Sequence, residues 1–144
     1  MPLLTVLTGL LLMTTTATPL LTVADVEQAS GLAPLHTTPK NQASGAGGEL
    51  NFATADNKLV LMVMIQPTST FDFWRKQYGA KGEKVAGIGS EAFRSKSGEF
   101  IGYIAFLKGQ TGVWLQSMGW KPGGGVNFSA AQLEKLAKLA ASRL

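Results

Sequence analysis

Two stretches of this chain are apolar on both parities of a strand. In residues 59–65 (LVLMVMI), Leu59, Leu61, Val63 and Ile65 fall on one face and Val60, Met62 and Met64 on the other. Residues 100–107 (FIGYIAFL) repeat the pattern, with Phe100, Ile104 and Phe106 set against Ile101, Tyr103 and Leu107. An antiparallel sheet covered on one side alternates apolar and polar positions. Strands that refuse to alternate have a second apolar face that something must cover or use.

Three helices are predicted by one device. Thr22-Val-Ala-Asp25, Ser69-Thr-Phe-Asp72 and Ser129-Ala-Ala-Gln132 each set a hydroxyl three residues before an acid or amide. That spacing lets an N-cap side chain and an N3 side chain satisfy each other's backbone donors. The first helix is expected to stop at Gly31 and the second at Gly79, since glycine suits the left-handed residue after a helix. In the second, Phe71, Trp74 and Tyr78 make an apolar stripe, with Arg75 and Lys76 toward solvent. The third carries Leu133, Leu136, Ala137 and Ala140 on one stripe and reaches the end of the sequence.

Strands fill the intervals. Residues 48–54 and 58–66 flank Ala55-Asp56-Asn57 and read as a hairpin that Pro67 ends. Residues 92–95, 100–108 and 112–119 read as a meander, with turns at Lys96-Ser97-Gly98 and Gly109-Gln110-Thr111. The predicted architecture is α+β, a two-layer sandwich of three helices on an antiparallel sheet of about five strands, in the order α-ββ-α-βββ-α. The back of the sheet is then covered by loop 33–48, or it remains an apolar binding face of Val60, Met62, Met64, Ile101, Tyr103 and Leu107. The occupants such a face suits are a second copy of the chain, a protein partner or a small apolar ligand.

Composition narrows the class. With 144 residues, 45% hydrophobic and 15% charged, the chain is long enough for one domain with a core. There is no cysteine, which excludes disulfides, thiolate metal sites and a cysteine nucleophile. A net charge of +4 is too mild for a nucleic-acid footprint. Residues 3–13 (LLTVLTGLLLM) are an apolar run of eleven, where a bilayer span needs about 20. Small residues follow in TTTATP, so residues 1–17 read as a signal peptide cleaved after Ala17. Residues 18–144 are then a single domain, exported to the periplasm or secreted, with no membrane span.

Chemistry is sparse. His36 is the sole histidine, in Pro34-Leu-His-Thr-Thr-Pro39, with no G-x-S-x-G elbow beside it. Gly87-Ile-Gly-Ser-Glu-Ala92 fits a relaxed G-x-G-x-x-A pattern but lacks the preceding strand and following helix of a dinucleotide site. Gly45-Ala-Gly-Gly48 lacks the Lys-Ser/Thr pair of a phosphate loop. Trp74-Arg-Lys-Gln-Tyr78 with Lys81 and Lys84 interleaves aromatic and basic residues; the core stripe explains its aromatics better than nucleic acid does. No cofactor or metal is expected. The leading expectation is a non-enzymatic binding domain. The alternative is a small hydrolase-like enzyme in which Glu91, Asp72 or His36 meet in a pocket.

One resemblance can be named. Asp25-Val-Glu with Gly31-Leu32, residues 45–52 (GAGGELNF) and residues 59–63 (LVLMV) look like small exported bacterial proteins of unknown function. Gly87-Ile-Gly-Ser-Glu-Ala-Phe93, followed by two strands and a last helix, is similar to a pattern in secreted actinobacterial lipoproteins. The resemblance implies a fold and a compartment and no activity. Those lipoproteins usually carry a lipid-attachment cysteine that this chain lacks, so anchoring is not implied.

Overall fold

The computed structural model describes residues 19–38, 48–96, 102–119 and 127–144. The segment 1–17 read as a signal peptide, residues 45–47, 97–98 and 123–125, Phe100 and Ile101 lie outside the described residues, as does most of loop 33–48. The protein is α+β. Helix α1 (Val23–Ser30) leads into strands β1 (Leu35–Thr37), β2 (Gly48–Thr54) and β3 (Leu59–Pro67). Helix α2 (Thr68–Trp74) runs on through a π-helical turn at Arg75–Gly79. Then come β4 (Glu83–Lys84), β5 (Glu91–Arg94), β6 (Tyr103–Lys108), β7 (Thr111–Ser117) and helix α3 (Ala130–Ser142).

Two of the three predicted capping boxes form. Thr22 Oγ1 accepts from the Asp25 amide at 3.2 Å and Asp25 Oδ2 accepts from the Thr22 amide at 2.7 Å. Gly31 closes α1 at φ 73°, where a side chain would be strained. Ser129 and Gln132 repeat the box on α3 at 2.8 and 3.2 Å. The third box does not form. Pro67 occupies the N-cap of α2, so the helix begins at Thr68, ahead of Ser69, and Asp72 lies too deep to reach back.

The sheet has seven antiparallel strands in the order β1-β2-β3-β7-β6-β5-β4, where the pattern predicts about five. The additions, β1 and β4, are short edge strands of three and two residues. Lys108 pairs with Thr111 across Gly109-Gln110, and Gly109 at φ 61° takes the position where a type II′ hairpin turn wants glycine.

The two apolar parities are explained by helices on both faces. Leu61, Val63 and Ile65 pair with Ser117, Leu115 and Val113, and Leu115 and Val113 pair in turn with Ile104 and Phe106. These side chains join Leu50, Phe52 and Phe128 in a closed core with Val26 of α1 and Leu133, Leu136 and Ala137 of α3. Arg143, just past α3, ties the two helices together, bonding Asp25 at 2.6 Å and the Leu20 carbonyl at 2.9 Å. The opposite parity faces α2. Phe71 and Trp74 pack there on Phe93, Ala105 and Trp114. Gly112 makes this docking possible: a Cβ on it would lie 2.9 Å from the Phe71 Cβ. Two helices thus cover one face, and α2 crosses the other, which the two-layer expectation had left to loop 33–48 or to an open binding face.

Candidate functional site

The second face is built of side-chain rows that run across the strands. Glu49, Met64, Trp114 and Ala105 are neighbours in one row, and Asn51, Met62, Gln116 and Tyr103 in the next. Helix α2 seats Phe71 and Trp74 over the Trp114 end of the first row. The second row lies beyond the α-helical part, and Tyr78 of the π turn closes on its Tyr103 end.

Aromatic packing organises that end. Tyr103 and Trp114 stack at 4.5 Å with their planes 13° apart. Tyr78 meets Trp114 edge-on at 5.1 Å and Tyr103 at 6.1 Å. The π turn changes the angular step of the helix. Tyr78 is therefore not carried into the core with Phe71 and Trp74; it remains 43% exposed. Met62, Met64 and Tyr103 are half-buried.

Polar groups border the row. The Trp114 indole donates to Gln116 Oε1 at 3.1 Å. The Asn51 amide donates to Glu49 Oε1 at 3.2 Å. Asn51 is only 7% exposed, and among the described residues its Oδ1 has no hydrogen-bond partner. A buried amide oxygen left without a donor costs on the order of 1–3 kcal/mol, so a ligand's N–H or O–H would be favoured there.

The sequence-predicted face is gathered in part. Met62, Met64, Tyr103 and Leu107 share the second face, and Leu107 packs with Tyr103 and Met64 against the Phe71–Trp74 cluster. Val60 shares their parity but is 2% exposed and belongs to the closed core. Ile101 lies outside the described residues. Asn51, Glu49 and Gln116 were not singled out in the sequence.

Of the three titratable candidates, two converge. Arg75 donates through Nε and Nη2 to the two Glu91 oxygens, each at 2.7 Å, and through Nη1 to Asp72 at 2.8 Å. Its guanidinium lies 5.1 Å from the centre of the Phe71 ring. The Glu91 hydrogen bonds push the Arg75 pKa up from its ordinary value. Arg75 is thus clamped rather than turned to solvent as the helical spacing predicts. An open groove of about 710 Å³ runs beside it, lined by Lys84, Ser90, Glu91 and Phe93. His36 sits on β1 and bonds Asn57 at 2.9 Å. Five strand spacings of about 4.8 Å separate β1 from β5, so His36 is roughly 24 Å from the Glu91 cluster.

The glycine motif is a turn. Gly87 and Gly89 adopt φ 82° and 59°, and Ile88 between them plugs the closed core. A Cβ at Gly89 would meet the Leu107 carbonyl oxygen at 2.2 Å. Among the described residues no helix is long and apolar enough to cross a membrane, and no three metal-ligating side chains cluster. No protein-family model matches the chain, and no curated protein is similar enough to lend it an activity.

Proposed function

We propose that the chain is an exported, non-enzymatic binding domain whose second sheet face takes a small, largely apolar ligand carrying a hydrogen-bond donor. The carrying observation is the row Asn51–Met62–Gln116–Tyr103. It lies half-roofed beside a stacked aromatic pair and ends at an amide oxygen to which no described residue donates. Met62 covers an adaptable position, since a thioether chain repacks at little cost. Its displacement would open Asn51 Oδ1 to an N–H or O–H on the ligand. Export rests on the apolar run 3–13 with the small residues after it, and on the resemblance to exported bacterial proteins.

The carboxylates favour this reading over hydrolysis. Both Glu91 oxygens and one Asp72 oxygen are held by Arg75, and His36 stands at the far edge of the sheet.

Indole and naphthalene are suitable probes, alike in shape and differing in one N–H donor. In an amide-correlation NMR titration, indole should give saturable shifts at Met62, Gln116, Tyr103 and the Asn51 side-chain amide. Naphthalene should bind about three- to tenfold more weakly, the worth of one hydrogen bond. Asn51→Leu should erase that preference. Shifts scattered over the closed face, or none, would sink the proposal. A dimer that Met62→Lys dissociates would instead name a second copy as the occupant and displace the ligand reading.

A further inference from the structure

We propose that the π turn and the strand after it form a docking surface for anionic lipid headgroups, with Phe73 as the inserted side chain. This surface meets the row described above at Tyr78, while its lysines and Phe73 lie outside that row.

Charge is the first ground. Every described acid near the turn is engaged by an arginine. Arg75 holds Asp72 and Glu91, and Arg94 holds Glu83 at 3.0 Å and Glu134 at 3.2 Å. Lys76, Lys81 and Lys84 are exposed and have no carboxylate partner among the described residues. The arginines are therefore internal ties, and the lysines are left as uncompensated positive charge. Lys84 lines the same groove as Arg75, Gly79 and Ala80, and Lys76 and Lys81 flank those residues in sequence.

Apolar exposure is the second ground. Among the described residues Phe73 at 56% and Tyr78 at 43% are the exposed large hydrophobic side chains; Phe73 lies at the end of α2, just before the turn, and Tyr78 within it. Phe73 precedes Lys76 by three residues, a spacing that sets the two on neighbouring positions of a helix surface. A soluble anion would be satisfied by the lysines and would have no use for an outward phenylalanine, and a net charge of +4 is mild for a nucleic-acid footprint. A bilayer surface uses both, because anionic headgroups attract lysines while aromatic rings settle at the headgroup–acyl boundary.

The test is co-sedimentation of the full chain with phosphatidylcholine vesicles, with and without phosphatidylglycerol. Binding should require phosphatidylglycerol and fall steeply with added salt. Replacing Lys76, Lys81 and Lys84 together by Glu should lower the affinity at least about a hundredfold, at roughly fivefold or more per lysine. Phe73→Ala should lower it about three- to tenfold while leaving the salt dependence and the melting temperature unchanged. Equal binding to both vesicle types overturns the proposal. So does binding that survives both sets of substitutions, which would place attachment elsewhere, the apolar run 3–13 included. Capture of a single-stranded oligonucleotide in place of vesicles would assign the lysines to nucleic acid and likewise overturn it.

Discussion

The two faces of one sheet do different work with the same strands. On the closed face, Leu61, Val63, Ile65, Ile104, Phe106, Val113 and Leu115 are sealed beneath α1 and α3. On the second face the packing is aromatic, and a seven-residue helix with one π turn roofs only part of it. The difference lies in what each face asks of its cover. Aliphatic side chains in a sealed layer contribute by excluded water and close packing, which tolerate no gap. Aromatic rings that stack on one another keep part of their contact energy without a complete roof. The second face can therefore hold together and still leave Met62, Tyr103 and Tyr78 partly open.

Truncation should separate the faces most strongly. Phe106→Ala empties a sealed site and should cost about 3–5 kcal/mol of unfolding free energy. Its neighbour Leu107 points to the half-open face, and Leu107→Ala should cost about 1–2 kcal/mol, because the exposed part loses less burial. Equal costs in urea denaturation would erase the distinction. Gly112→Ala comes next, at about 1–3 kcal/mol, because the added Cβ pushes on Phe71. Lifting α2 should also red-shift tryptophan emission, since Trp74 and Trp114 share that contact.

A third effect belongs to the closed side alone. The Arg143 hydrogen bond holds the Asp25 pKa down at about 2 against 3.8 in an unfolded chain. Because the folded value is the lower, the stabilisation is fully present above pH 3.8 and is lost as pH falls toward 2. Its size is about 1–2 kcal/mol after allowance for solvent screening. Arg143→Ala should remove that acid-side slope in denaturation measured across this range. Asn51→Leu should have the smallest effect on stability, within about 0.5 kcal/mol or slightly favourable, because it deletes an unsatisfied oxygen. Its consequence should appear in ligand preference instead.

Local signals were legible in the sequence, and choices made by packing were not. Thr22 with Asp25, and Ser129 with Gln132, define α1 and α3 because a capping box needs only four consecutive residues. The same reading misplaces the start of α2, where Pro67 takes the cap. β1 and β4 are too short for periodicity to reveal; their pairing is decided by the strands they join. The doubled apolar parity of residues 59–65 correctly signalled a second face, yet nothing in the pattern said that α2 would cross it. Parity placed Met62, Met64 and Tyr103 on the second face. Asn51 was not legible: the predicted hairpin sets it opposite Leu61, and only the register shift between Phe52 and Ala53 brings it opposite Met62. The Arg75 clamp was illegible, because Arg75 reaches Glu91 across sixteen residues of chain.

The difference between the faces is tested most directly on β3, where adjacent residues point opposite ways. Unfolding free energies of Met62→Lys and Val63→Lys, measured side by side, should differ by several kcal/mol. Lysine at position 62 can reach solvent from a half-open row and should cost less than about 1 kcal/mol. Lysine at position 63 would bury a charge in the sealed core and should cost more than about 4 kcal/mol or prevent folding. If Met62→Lys were as damaging as Val63→Lys, the second face would be a second core, and the binding row would not exist.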